Sequence, residues 1–276
     1  MRWLSLVLSL LLLFVAADAS AGGLPRQAAV PGGVAIAALG PSPSAPQAWF
    51  GERRVAVLRD GKNWVALIGL PLSLVPGEHE LRVVYAAGRQ ASQRIVVRPK
   101  RYAVQRFTVS DKRKVEPLPE DELRIAREQQ RIDEIKAHWR DEAQLDLAFQ
   151  LPAKGRPSKD FGLRRIINGL ARNPHAGIDL PLPEGTPIVA VGDALVLETG
   201  DYFFNGNSVY LDHGQGVVTL YCHMQHVDVR PGDHVARGQQ IGLSGMTGRT
   251  TGPHLHWTVL MNGAAVDPRL FLGRTK

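Results

Sequence analysis

The sequence predicts a mainly β protein: a small N-terminal β-sandwich, a helical linker and a C-terminal antiparallel sheet that is barrel-like. Three observations support this prediction. Short strand-like runs separated by turn residues fill both halves of the chain, glycine is frequent at 28 of 276 residues, and a helical spacing of apolar residues is evident only between the two halves. Frequent short strands without intervening helices are typical of sandwiches and barrels.

Length and composition indicate an ordinary globular protein. The chain has 276 residues, of which 44% are hydrophobic and 21% charged, which argues against a disordered or fibrous protein. We predict a signal peptide at residues 1–21, a β-sandwich domain at 22–109, a linker with one helix at 110–143 and a second domain at 144–276.

The N-terminus resembles a secretory signal peptide. Arg2 precedes an apolar run, Trp3–Ala17, and Ala19-Ser20-Ala21 provides the small residues of a cleavage site. The alternative is a membrane anchor, but a full span needs about 20 apolar residues. No cysteine follows the run, which excludes a lipid anchor there. We therefore expect an exported protein without stable membrane insertion after cleavage.

Charge and cysteine content restrict the possible functions only partly. A net charge of +7 would favour a polyanionic partner, although ordinary solubility charge is the alternative. No nucleic-acid-binding motif is present, so we expect no nucleic-acid partner. The only cysteine, Cys222, excludes an intramolecular disulfide. It directly precedes His223 in a strand-like run and should point to the opposite face, as a small buried residue.

The N-terminal domain shows strand-like runs and no cluster of titratable residues. Its one histidine, His79, is interpreted as ordinary. The domain is interpreted as a binding, positioning or shielding module. Turn residues such as Asp60-Gly61 separate the runs, which are Val34–Ala38, Arg54–Leu58, Trp64–Ile68, His79–Tyr85 and Gln93–Val97.

The linker contains the helical pattern. Pro119 is followed by three acidic residues, as at a helix N-terminus, and apolar residues then recur every three or four positions up to Trp139. We predict a surface helix packed by one face on a domain. A coiled-coil dimer is the alternative, but the pattern covers too few heptads.

The second domain is dense in glycine and short β runs. An alternation of apolar residues over Leu145–Leu151 predicts its first strand, and a basic loop is expected at Arg164–Arg172. Further strands are expected at Pro187–Val191, Ala194–Glu198, Ser208–Asp212, Val217–Cys222, His234–Val235, Gln240–Leu243 and Leu255–Leu260.

Histidines concentrate in the second domain. His254 and His256 would share one face of a strand, because side chains alternate with period two. His175 precedes Asp179 by four residues, and His223 ends a strand-like run. Each pair alone is a weak signal, but together they supply the residue types of a catalytic zinc site, which uses three protein ligands and leaves one position open.

These motifs, in order and spacing, resemble the lysostaphin/LytM-type zinc metallopeptidases. The resemblance extends over roughly Leu145–Leu272, and the N-terminal domain more weakly resembles the β-sandwich domain of some exported members. The motifs that carry it are His175-x-x-x-Asp179, Tyr221-Cys222-His223-Met224, Gly252-Pro253-His254-Leu255-His256, Phe161-Gly162-x-Arg164 and Gly245-Met246-Thr247-Gly248.

The resemblance implies roles for five residues. His175, Asp179 and His256 would bind one Zn²⁺ per chain, while His223 and His254 would form the catalytic pair. Which histidine acts as the base is left open. His213 and His234 are interpreted as structural, and His138 and His226 have no assigned partner.

The function implied is a periplasmic zinc endopeptidase that hydrolyses peptide cross-links of peptidoglycan, with stem peptides as substrate. Members of the family cut either glycine bridges or links between D-alanine and a diamino acid. The alternative is a peptidoglycan-binding or hydrolase-activating protein with a non-catalytic zinc. The N-terminal domain or the loop Gly200–Asn207 could cover the groove, and any regulatory protein partner is unknown.

Overall fold

The computed structural model describes residues 23–108 and 116–273. The predicted signal peptide lies outside these residues. The described chain is mainly β with one α-helix, which confirms the predicted fold class. Among the described residues, no helix has the length and apolar character needed to cross a membrane.

The N-terminal sheet has six antiparallel strands in the order β1-β4-β3-β2-β5-β6. The side chain of Gln93 on β6 donates to the carbonyl of Ala38 on β1 over 2.8 Å, so the two edge strands approach each other. Residues of all six strands then share one buried cluster, as in a sandwich. The strands are β1 (Val34–Gly40), β2 (Gln47–Phe50), β3 (Arg53–Asp60), β4 (Asn63–Gly69), β5 (Gly77–Val84) and β6 (Gln90–Val97).

A second sheet of nine strands curls into a nearly closed barrel. Its main path runs β10-β17-β14-β13-β12-β15, while β16 pairs with β11 and β14, and β18 with β17. The strands are β10 (Ile178–Pro181), β11 (Pro187–Val189), β12 (Ala194–Tyr202), β13 (Gly206–Gly214), β14 (Val217–Val227), β15 (His234–Val235), β16 (Gln240–Ser244), β17 (His254–Met261) and β18 (Ala264–Val266).

A small sheet connects the two halves of the chain. Strand β7 (Val104–Phe107) pairs in parallel with β8 (Arg164–Ile167), which forms a hairpin with β9 (Leu170–Ala171). The basic stretch expected to be a loop is therefore largely this hairpin. β7, which precedes the linker, thus adds a strand to the second half of the chain.

One predicted strand is wrong. Leu145–Leu151 forms no strand, and the only pairing there is an isolated bridge between Phe149 and Leu272. The alternation is nevertheless real, because Leu145, Leu147 and Phe149 are all buried. An extended segment can bury alternate side chains against a neighbouring core without a partner strand, and sequence alternation does not distinguish the two cases.

The predicted helix begins at Pro119 and ends at Ala137 (α1). The carboxylate of Asp121 accepts a hydrogen bond from the backbone N–H of Leu118, which caps the first turn. Ile135 packs into a cluster with Tyr210 and Cys222 on the second sheet. The helix therefore lies on the second domain, as expected for one apolar face.

The two sheets share an interface at the turns of the second sheet. The side-chain amide of Asn262 accepts from the N–H of Gly69 (2.7 Å) and donates to its carbonyl (3.0 Å). Gln215 accepts from the N–H of Val57 over 2.9 Å. The larger core cluster also draws residues such as Leu58 and Leu67 from the first sheet. The N-terminal domain is therefore packed on the second domain through a continuous core.

Candidate metal and catalytic site

Strand β17 lies between β10 and β14 and carries two of the predicted site residues. His256 is opposite Asp179 on β10 and Cys222 on β14, while His254 is opposite Pro181. His254 and His256 share one face of the strand, two residues apart. The sheet register thus places Asp179 beside both histidines.

His175 reaches the same point from the loop before β10. Gly177 lets this loop lie against β17, because a Cβ there would meet the carbonyl of Trp257 at 2.4 Å and the ring of His256 at 2.8 Å. A residue with any side chain would push His175 away from β17. The glycine between His175 and Asp179 is therefore required by this close approach.

Three potential metal-ligand atoms converge there. His175 Nε2 lies 2.9 Å from His256 Nδ1 and 3.1 Å from Asp179 Oδ1, and His256 Nδ1 lies 2.9 Å from the same oxygen. Two imidazole nitrogens and one carboxylate oxygen are a donor set suited to a catalytic Zn²⁺. The other nitrogen of each ring is held elsewhere.

The partners of those other nitrogens orient the two rings. His175 Nδ1 lies 3.3 Å from the carbonyl of Asp160, and His256 Nε2 lies 3.0 Å from Thr258 Oγ1. Such outer contacts fix the ring orientation of metal-binding histidines. The donor set and its supports therefore fit a zinc ion.

His223 and His254 lie next to the three ligands. Their ring centroids are 4.7 Å apart, and His254 Nε2 lies 3.8 Å from Asp179 Oδ1. His254 Nδ1 donates to the carbonyl of Gly252 (2.8 Å), and His223 Nδ1 to that of Thr247 (2.9 Å). Because a carbonyl only accepts, each neutral ring keeps the lone pair on Nε2. Both histidines can therefore accept a proton at that atom.

The backbone of His223 is unusual. Its φ is +62°, in the left-handed region that residues other than glycine rarely occupy. Its N–H donates to the carbonyl of Asn205 over 2.8 Å, and Asn205 lies in the turn between β12 and β13. Backbone strain of this kind is concentrated at functional sites. The loop Gly200–Asn207 is thus mainly a hairpin end that supports His223.

The electrostatics of the centre favour a positive charge. Burial alone would lower the pKa of His175, but hydrogen bonds to the Asp160 and Asp179 carboxylates raise it to about 9. Burial opposes ionisation of Asp179, yet hydrogen bonds from His175 and His256 hold its pKa well below the usual range. In the metal-free protein a proton on His175 therefore occupies a place that a metal ion can take.

The pKa of His223 and His256 moves in the other direction. Burial, with the neighbouring His256 and His254, lowers the pKa of His223 to about 3. Burial also lowers the pKa of His256. Both rings are therefore neutral near pH 7, the state needed for a metal ligand or a proton acceptor.

His213, His138 and His226 have separate partners. Both ring nitrogens of His213 are hydrogen-bonded, one to the carbonyl of Asp193 and one to Thr219 Oγ1, each over 2.9 Å. His138 lies 3.2 Å from the buried Asp212, and His226 lies 3.3 Å from Asp228. Cys222 is buried, as expected, and burial raises its pKa to about 12.

The residues that support the site were not predicted from the sequence. Thr258 could have been found, since it follows His256 by two positions and so shares its strand face. Asp160 gave no such signal, because it lies in a loop 15 residues before His175. The carbonyls of Thr247 and Gly252 have no side-chain signature at all.

Comparison with known proteins gives one consistent result. The profile of peptidase family M23 matches residues 173–268, and that of the M23 N-terminal domain matches residues 27–100. The crystal structure of a candidate M23 peptidase from Pseudomonas aeruginosa is 38% identical with a TM-score of 0.77, covering 90% of this chain and 96% of that one.

Two curated relatives match less than half of this chain. Peptidoglycan DD-endopeptidase ShyA of Vibrio cholerae is 42% identical over 127 residues, which is 45% of this chain and 30% of the relative. DD-carboxypeptidase/endopeptidase Mpg of Neisseria meningitidis is 43% identical over 94 residues, 34% of this chain and 22% of the relative. The matched regions thus cover less than a third of either relative.

Proposed function

This chain belongs to peptidase family M23, and we propose that it is a zinc-dependent endopeptidase that hydrolyses peptide cross-links of bacterial peptidoglycan. The observation that carries the proposal is the convergence of His175, Asp179 and His256 beside two further histidines with lone pairs available. The curated relatives ShyA and Mpg support the substrate class.

His175, Asp179 and His256 would hold one Zn²⁺ per chain. When bound, zinc supplies Lewis-acid chemistry, polarising the scissile carbonyl and making a water molecule more acidic. Two neutral imidazoles and one carboxylate leave part of the ion's charge uncompensated, which preserves that acidity. Asp160 and Thr258 keep the two rings in place.

His254 and His223 supply the proton transfers. The Nε2 of either ring can accept a proton from the attacking water and return it to the departing amine, so no covalent enzyme intermediate is needed. His254 Nε2 lies 3.8 Å from the ligand oxygen Asp179 Oδ1, close to where that water would bind. His223, once protonated or through a bridging water, can donate to the oxyanion of the tetrahedral intermediate.

The charge distribution suits a polymer of carboxylates. Residues 23–108 contain twelve Lys or Arg and four Asp or Glu, a balance of +8, against +7 for the whole chain. The N-terminal domain therefore carries essentially all of the excess positive charge. Peptidoglycan stem peptides bear free carboxylates, and such a domain would attract them.

Release of muropeptides from purified sacculi tests the function. The zinc-loaded protein should free cross-linked stems, and His254→Ala should reduce the rate by about 10²–10⁴-fold while it still binds zinc. A mass spectrum of the products identifies the bond. No release by the wild-type protein with zinc bound would refute the peptidase proposal.

The second candidate is a peptidoglycan-binding or hydrolase-activating protein with a non-catalytic zinc. Zinc content does not separate the two functions, whereas turnover does. Binding to sacculi that is equal in the wild type and His254→Ala, without product from either, would favour this candidate.

We also propose export to the periplasm, supported by the apolar run Trp3–Ala17 and the small residues after it. Fractionation of cells that produce the protein, with N-terminal sequencing, tests this. A full-length chain retained in the cytoplasm would contradict it.

A further inference from the structure

Three arginines outside the proposed chemistry lie near the metal centre. Arg165 lies on β8, Arg172 follows β9, and Arg249 lies in the loop before β17. The N–H of Arg172 donates to the carbonyl of Arg165 over 2.9 Å, which continues the register of the hairpin. Side chains directly opposite in an antiparallel pair project from the same face, about 5 Å apart at Cβ.

Arg249 follows Thr247 by two residues, and the carbonyl of Thr247 accepts a hydrogen bond from His223 Nδ1. The N–H of Arg249 donates to the carbonyl of Phe204 over 2.8 Å, and its guanidinium lies 4.3 Å from the centre of the Phe204 ring. Burial, together with the charges of Arg172 and Arg165, lowers the pKa of Arg249. The charges of Arg165 and Arg172 therefore act on the guanidinium of Arg249.

Arg165 connects this cluster to the metal centre. Its Nη2 lies 3.6 Å from Asp179 Oδ2 and 3.9 Å from Asp160 Oδ2, both longer than a hydrogen bond. Within the described residues its Nε is buried without a hydrogen-bond partner, while the side chain remains 29% exposed. Neither carboxylate therefore holds the guanidinium in a bidentate pair.

A carboxylate is the ligand that matches this arrangement. Guanidinium groups pair with carboxylates through two parallel N–H···O bonds, and a bound anion would relieve the repulsion among the arginines. Since Arg165 contacts the side chain of a metal-ligand candidate, that carboxylate would belong to a residue at or next to the scissile bond.

The two bond types differ at this position. When the diamino acid of the link to D-alanine is a dicarboxylic one, with a carboxyl group beside each amine, the residue that contributes the amine bears a free carboxylate on the carbon next to the scissile nitrogen. A glycine bridge has no free carboxylate within the bridge. The arginine cluster would therefore discriminate between the two bond types, whereas the three metal-ligand residues would not.

We propose that Arg165, Arg172 and Arg249 bind the free carboxylate on the amine side of the scissile bond, which selects cross-links to a diamino dicarboxylic acid over glycine bridges. This inference rests on the proposed function. It adds a specificity determinant to the site and does not change the roles of the five residues already assigned.

Two soluble cross-linked peptide dimers test the proposal, identical except that this carboxylate is free in one and a carboxamide in the other. Wild-type kcat/KM should be about tenfold or more higher for the free carboxylate. Arg172→Gln and Arg249→Gln should each lower that ratio. Arg127→Gln, an exposed helix arginine that loses the same charge, is the matched control and should leave the ratio unchanged.

The outcomes separate the inference from the proposed function. Equal kcat/KM for the two dimers in the wild type would overturn the inference while the peptidase stands, and this comparison requires no variant to fold. An unchanged ratio in variants that melt like the wild type would also overturn it.

Cleavage of neither dimer would count against the proposed function instead. Calorimetric Kd values for the two dimers would then test the arginines without turnover: tighter binding of the free carboxylate supports the cluster, and equal values overturn it.

Discussion

The second half of the chain has two groups of histidines, His213 alone and the four of the candidate site, and they use their ring nitrogens differently. His213 has both nitrogens hydrogen-bonded within the fold, to the Asp193 carbonyl and to Thr219. Each histidine of the candidate site has one nitrogen held by a carbonyl or hydroxyl. The other nitrogen is directed at a neighbouring ligand atom in His175 and His256, or has its lone pair available in His223 and His254.

The difference shows what makes a buried histidine functional. Burial lowers the pKa of both His213 and His223, to about 4 and about 3, so a perturbed pKa does not separate the groups. The second ring nitrogen does separate the groups. It can bind a metal or accept a proton only when it is not already hydrogen-bonded within the fold. Replacing members of each group tests this account.

The largest expected effect is at a metal ligand. Asp179→Ala removes the oxygen that lies near both ligand nitrogens, so we expect loss of zinc and a fall in activity on the order of a thousandfold or more. His213→Gln should retain zinc and activity at neutral pH. Metal content and muropeptide release are the measurements, and stoichiometric zinc in Asp179→Ala would contradict the assignment.

The second effect is the pH dependence of stability due to His213. Its pKa falls from 6.5 to about 4 on folding because of burial, so between these values the unfolded chain binds a proton that the folded chain does not. Stability is therefore fully present above pH 6.5 and declines as the pH falls toward 4, by about 3 kcal/mol.

Denaturant unfolding in the presence of a chelator, at several pH values from 7 to 4, measures this decline. In His213→Gln the free energy of unfolding should depend less steeply on pH, because unfolding takes up about one proton fewer. An identical slope in both proteins would show that His213 is not a buried neutral histidine.

The smallest effects are expected at two threonines, each of which has a hydroxyl hydrogen-bonded to a histidine of one of the two groups. Thr258→Val removes the hydroxyl that supports His256, and zinc affinity should fall about tenfold. Thr219→Val removes the hydroxyl that supports His213, and should lower the free energy of unfolding by about 1 kcal/mol without a change in zinc affinity. Zinc competition titrations and thermal melts distinguish them, and a reversed pattern would contradict the comparison.

Sequence periodicity predicted the elements that carry the site better than the contacts that support it. The common face of His254 and His256 follows from strand alternation, and the α1 helix from the spacing after Pro119. The alternation at Leu145–Leu151 was misleading because burial, and not pairing, produces it. β2 has four residues and gave no separate signal.

Other features depend on tertiary contacts that no local pattern records. The positive φ of His223 depends on the carbonyls of Asn205 and Thr247, which come from two other parts of the chain. The hydrogen bonds of the Asn262 and Gln215 side chains to the first sheet depend on how the two sheets pack together. The pairing of Arg165 with Arg172 required knowledge that the basic stretch is a hairpin.

Zinc stoichiometry measured together with activity tests the central claim, that three residues hold the metal and two others transfer protons. In wild type, His254→Ala and His256→Ala, we predict one zinc per chain in the first two proteins, none in the third, and muropeptide release at the full rate by the wild type alone. Loss of zinc from His254→Ala, or stoichiometric zinc in an inactive His256→Ala, would contradict this division of roles.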